Sequence, residues 1–99
     1  MTTKTDFQEI AALQASYEPK HRGVVTEDEA KKIKDILELE NRSEIELHNV
    51  RDMVVMLYDQ RVDSAREAGD MVEFDKLRDA MSAIVSIIDG EMFDKGIEV

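Results

Sequence analysis

At 99 residues the chain has room for one domain, and a domain of this size buries only about two-thirds of the surface its unfolded chain exposes, so a second copy would add useful burial. Apolar content of 42% with clear periodicity argues against disorder despite 36% charge, and the absence of cysteine excludes a disulfide framework or a thiolate metal site. A formal charge of −10 argues against direct binding to nucleic acid or to an anionic membrane, since both require cationic surface.

One proline and four glycines fit long helices, and the expected fold class is all-α. No apolar run approaches the roughly 18 to 20 residues that span a bilayer, and the N-terminus lacks a basic-then-apolar leader. The expected location is the cytoplasm. The chain divides into an N-terminal helix and loop (1–24), a helix (25–42), a core helical hairpin (43–90) and a tail (91–99), all within one domain.

The first helix is expected from Thr5 to about Tyr17, capped by Thr5 and Gln8, with Phe7, Ile10, Ala11, Leu13 and Tyr17 on its apolar face. Pro19 to Gly23, with the basic cluster Lys20, His21 and Arg22, then form a linker. Thr26 with Glu29 makes a capping box, Val25 stands as a hydrophobic staple, and Ala30, Ile33, Ile36 and Leu37 give the helix its apolar side. Where this helix ends is a closer question. Asn41 to Ser43 should break it, yet Ile33, Ile36, Glu40, Ser43, Leu47, Val50, Val54 and Leu57 keep one heptad phase, so a continuous helix of about 60 Å is the alternative.

The hairpin is the organising element. Ser43 and Glu46 form a second capping box, and Leu47, Val50, Val54, Leu57, Ala65 and Ala68 recur at spacings of three and four. Gly69 can take the left-handed conformation that closes the helix, and Asp70 caps the next one with Glu73 at the third position. The second arm buries Phe74, Leu77, Met81, Ile84 and Ile88, extending to Met92, with Gly90 as the expected stop. The two arms therefore span about 44–68 and 71–89. In the tail, Met92, Phe93, Ile97 and Val99 either fray or dock.

Apolar residues remain beyond these two stripes. Met53, Val55, Met56 and Val62 on the first arm, with Ala80, Ala83 and Ile87 on the second, need either the preceding helices or a second chain to cover them. They are the expected partner or dimer surface, and a dimeric helical bundle is the expected assembly. Arg61 joins this set because its phase puts it within the apolar stripe. It either snorkels past the hairpin edge or forms a register-setting ion pair with another helix or subunit.

No residue pattern supports catalysis or a cofactor. His48 has Glu44 and Asp52 four residues to either side, but not the Glu-x-x-His spacing of carboxylate-bridged metal bundles. There is no Glu-x-x-Glu pair to hold magnesium at a phosphate, and no nucleophile arrangement. Asp63, Glu67, Asp70, Glu73 and Asp75 crowd the hairpin turn among Arg61, Arg66, Lys76 and Arg78, and could imitate spaced phosphates if one side were free of cations.

Residues 67–81 resemble the UVR helical hairpin of excision-repair subunits, with Phe74, Leu77, Arg78 and Asp79 matching and Asp75 and Lys76 departing from the usual Glu and Ala. The resemblance implies a hairpin that binds a similar hairpin. The leading expectation is a small acidic protein that is not an enzyme and acts as a regulator or adaptor by binding protein, as a homodimer. An acidic mimic that inhibits a nucleic-acid-binding protein is the alternative, and an assembly scaffold a further one.

Overall fold

The computed structural model describes residues 6–18 and 25–97. Its elements are α1 (Asp6–Ser16), α2 (Glu27–Leu37), a short 3-10 turn (Leu39–Asn41), α3 (Glu44–Glu67) and α4 (Met71–Asp94), with no strand among the described residues. The chain is all-helical, and α3 and α4 pack closely as an antiparallel hairpin. Across the hairpin, α1 packs on α2 and α3, while α2 and the 3-10 turn pack on α4.

Local chemistry sets the helix starts. Thr26 and Glu29 exchange hydrogen bonds, with the Glu29 N–H donating to Thr26 Oγ1 (3.3 Å) and the Thr26 N–H to Glu29 Oε1 (3.2 Å). Ser43 and Glu46 repeat the device at the head of α3. The Asp70 carboxylate accepts the Glu73 N–H at 3.0 Å and opens α4. Each cap satisfies amides that have no partner within the first turn.

The hairpin turns at Gly69, whose φ of +75° a side chain would strain. Two bonds close α3 there, from the Gly69 N–H to Arg66 O and from the Asp70 N–H to Ala65 O. The same pair of bonds ends α4 at Gly96, where the Gly96 N–H reaches Phe93 O and the Ile97 N–H reaches Met92 O. Gly90 is therefore not a stop. It lies within α4, and residues placed in the tail by sequence are helical as far as Asp94. Glu91 and Met92 are buried and Ile97 packs against the core.

Helix α2 ends at Leu37, earlier than Asn41, and the continuous-helix alternative does not form. Glu38 takes φ 52° and ψ 42°, the left-handed region, and turns the chain out of the helix. The long axis of the molecule is 39 Å, too short for an unbroken helix of about 60 Å over 27–67. The expected linker Pro19 to Gly23, the Thr5 cap and Val99 lie outside the described residues.

One contiguous core joins all four helices. Ile10, Leu13 and Tyr17 from α1 and its end, with Ile33 and Leu37 from α2, close over Leu47, Val50, Val54, Tyr58, Val62 and Ala65 of α3 and Leu77, Ala80, Ala83, Ile84, Ile88 and Met92 of α4. The expected stripes are corrected in several places, Phe74 and Met81 of α4 being only half-buried at the edge of the core. Leu57 is only half-buried while Tyr58 is 1% exposed, Ala68 is exposed, and Phe7 and Ala11 of α1 lie outside the core. α1 packs on α3, and its end brings Tyr17 to a small cleft shared with Tyr58.

Candidate protein-binding surface

The surface begins with a helical spacing. Ile45, Asn49, Asp52 and Met56 follow one another at intervals of four, three and four, which places them in one stripe on the side of α3 that faces away from Val50, Val54 and Tyr58. Ile45 is 73% exposed and Met56 50% exposed. Beside this stripe, half-buried Met53 leans on the core, and Asn49, Asp52, Met53 and Met56 together line a shallow open groove. Two thioether side chains beside a carboxamide and a carboxylate make an adaptable apolar contact with polar groups next to it.

The expected surface residues divide. Met53 and Val55 are half-buried and Met56 is half exposed, and Ile87 is half-buried against the core. Val62, Ala80 and Ala83 are instead interior residues of the single chain, at 8%, 3% and 0% exposure, so this structure does not offer them to a partner. The N-terminal helices supply cover that two helices alone lack.

Arg61 is exposed, and its guanidinium donates to Gln14 Oε1 of α1 at 3.2 Å. Arg61 also lines a small cleft with Tyr17, Tyr58, Leu77 and Ala80. The buried ion pair lies elsewhere, between Arg42 and Glu9, whose side chains are 8% and 1% exposed. Arg42 also donates through Nε to Leu37 O at 2.6 Å. At the half-exposed side of the hairpin, Arg51 bridges to Asp89 at 2.8 Å.

Around the turn, cations interleave with the expected acidic tip. Asp63 accepts from Arg66 at 3.1 Å, Asp70 is engaged in capping, Lys76 pairs with Glu18, and the Arg78 guanidinium lies 5.5 Å from the centre of the Phe74 ring. Glu67 and Asp75 are exposed and Glu73 is half-buried. Phe74 and Arg78, two of the residues that resemble the UVR hairpin, are thus engaged with each other.

Burial pushes the Tyr58 phenol well above its ordinary range, with the Arg61 charge acting the other way. Burial also raises Tyr17, helped by Glu29 and Asp79. Glu46 is lowered by the backbone and side-chain hydrogen bonds it accepts from Ser43. Among the described residues no three His, Cys, Asp or Glu side chains converge as metal ligands, and no helix is long and apolar enough to cross a membrane.

In the sequence Asp52 stands out only as a neighbour of His48, and Ile45 and Asn49 belong to no apolar repeat. The outward stripe they form with Met56 was visible as a spacing, but two polar members hid it from a search for apolar repeats. Comparison with protein-family models, with curated proteins and with solved structures finds no match to the chain.

Proposed function

We propose that this chain is a non-enzymatic helical protein that acts by binding another protein, as a regulator or adaptor, and that it works as a homodimer in the cytoplasm. The observation that carries the reading is the Met53 and Met56 groove with its Asn49 and Asp52 rim, on a helix whose inward side is already filled by its own chain. Helical partners dock their apolar faces in such grooves, and methionine adapts to more than one shape.

Changing Met53 and Met56 together to Glu tests this. Helical circular dichroism and melting temperature should hold, because Met56 is half exposed and Met53 lies at the core edge, while capture of the partner by tagged protein falls at least tenfold. Unchanged capture by the folded variant would place the contact elsewhere. Sedimentation of the wild type should give the mass of two chains.

A second reading, an acidic competitor for a nucleic-acid-binding protein, draws on exposed Glu67 and Asp75 and the charge of −10. The interleaved Arg66, Lys76 and Arg78 weigh against it. Salt separates the two, since a carboxylate array loses affinity steeply as charges are screened beyond about 8 Å at physiological salt, whereas apolar docking weakens little. Competition by nucleic acid for the partner would favour mimicry.

A further inference from the structure

Four observations meet at the connector between α2 and α3. Glu38 is the only non-glycine residue with positive φ among the described residues, so the bend sits on a backbone conformation that its own side chain disfavours. The bonds that shape the bend are long, 3.3 Å from the Glu38 N–H to Asp35 O, 3.2 Å from Asn41 to Glu38 and 3.3 Å from Arg42 to Leu39. On both sides of it, Ile33, Ile36, Glu40, Ser43, Leu47, Val50 and Val54 keep a single heptad phase, so straightening would join α2 to α3 in one register, with the polar Glu40 and Ser43 at the join. Side chains hold the bent form, one from elsewhere and one from the bend: the Lys95 ammonium donates to Glu40 O and Arg42 O at 3.0 and 2.9 Å, and Arg42 donates to Leu37 O.

We infer that residues 38–42 are a hinge through which two copies of this chain exchange their α1–α2 units, the connector straightening so that α1 and α2 of one copy cover the hairpin of the other. The partner is a second copy because the packing of α1 on α3 and of α2 on α4 can be remade between chains, while the contacts within the bend itself are lost. The Lys76–Glu18 pair ties the unit to the hairpin and the Arg42–Glu9 pair ties it to the last residue of the hinge, and both are available to a second copy of the same sequence. Short connectors under strain favour such exchange, because opening relieves the strain while the interface is conserved. Leu39, fully buried in the bend, is the contact that opposes opening. This inference rests on the homodimer reading given above and adds the route by which the two chains join.

The test uses the full chain, which has no cysteine, with Glu18→Cys and Lys76→Cys joined by a short bis-maleimide after size separation. The dimer fraction should give covalent dimers under denaturing conditions, and the monomer fraction links within one chain. Single-cysteine chains control for chance collision. On the wild-type background, Glu38→Gly should shift the equilibrium toward monomer by roughly tenfold, because glycine both accepts the left-handed bend and disfavours the straight helix, and Glu38→Ala should shift it toward dimer. A dimer fraction whose links are all within one chain, or equal dimerisation of the Gly and Ala variants, overturns the exchange and leaves the homodimer standing. Monomer alone for wild type and Glu38→Ala, after refolding at high concentration, overturns both.

Discussion

Arg42, just ahead of α3, is paired with Glu9 of α1 across 33 residues of sequence, and both side chains are nearly sealed from water. The pair ties the first helix to the corner where α2 gives way to α3, and Arg42 closes the end of α2 by donating to Leu37 O. Replacing Arg42 by Met removes the guanidinium from beside a buried carboxylate. The expected loss is about 3 to 5 kcal/mol in urea denaturation. Changing both partners, Glu9→Leu with Arg42→Met, should recover most of it, since no buried charge then remains. Arg61→Met is the contrast: that guanidinium is exposed, and the change should cost under about 0.5 kcal/mol.

Large-to-small changes separate the two apolar positions that sequence treats alike. Ile84 is fully buried in α4, whereas Leu57 of α3 is only half-buried at the edge of the core. Ile84→Ala should cost about 2 to 5 kcal/mol, while Leu57→Ala should cost clearly less because less surface returns to water and a smaller cavity forms. Equal losses at the two sites would mean that Leu57 packs more deeply than its exposure indicates.

The hairpin was legible because its signals are local. A capping box at Ser43 and Glu46, a glycine at the turn and an Asp70 cap each act within one turn of helix, and two apolar stripes of matching length do the rest. The Tyr58 placement was not legible, because it depends on which side of α3 receives α1, and a phenol suits an interior or an edge equally well. Nor could the Glu9 and Arg42 pair be read, since a contact 33 residues apart leaves no periodic trace. Gly90 misled for a different reason. Composition marks a glycine as a stop, but the bonds that end α4 form six residues later, where Met92 and Ile97 can both reach the core. For the binding surface, Met53 and Met56 were legible as surplus apolar residues, while Val62, Ala80 and Ala83 were surplus only until the N-terminal helices were placed.

Tyr58 should shape stability at alkaline pH. Its folded-state pKa lies above the ordinary value of about 10, so the neutral phenol is favoured in the folded chain and stability from this group is fully present below pH 10. As pH rises beyond that, the unfolded chain loses its proton first and stability falls until the folded-state value is passed. Tyr58→Phe should remove most of this decline, leaving a shallower one from Tyr17, whose pKa is also raised. Denaturation midpoints from about pH 8 to pH 11, with ultraviolet absorbance following phenolate formation, check it. An equally steep decline in Tyr58→Phe would assign the alkaline limb to other groups.

Two glycines of the hairpin should respond to alanine with opposite signs. Gly69 sits at φ +75°, and a Cβ built there meets no atom within 4 Å, so Gly69→Ala suffers only from the left-handed backbone, about 1 to 2 kcal/mol. Gly90 lies inside α4, is exposed, and likewise has open space around an added Cβ. Its lack of a side chain leaves more freedom in the unfolded chain than alanine would, without any benefit to the folded one. Gly90→Ala should therefore stabilise by about 0.5 to 1 kcal/mol, seen as a raised melting temperature with unchanged denaturant dependence. Because the sequence pattern alone makes Gly90 a terminator, a loss of stability there would mean that α4 ends at residue 89 and that Glu91 and Met92 do not hold the helix against the core.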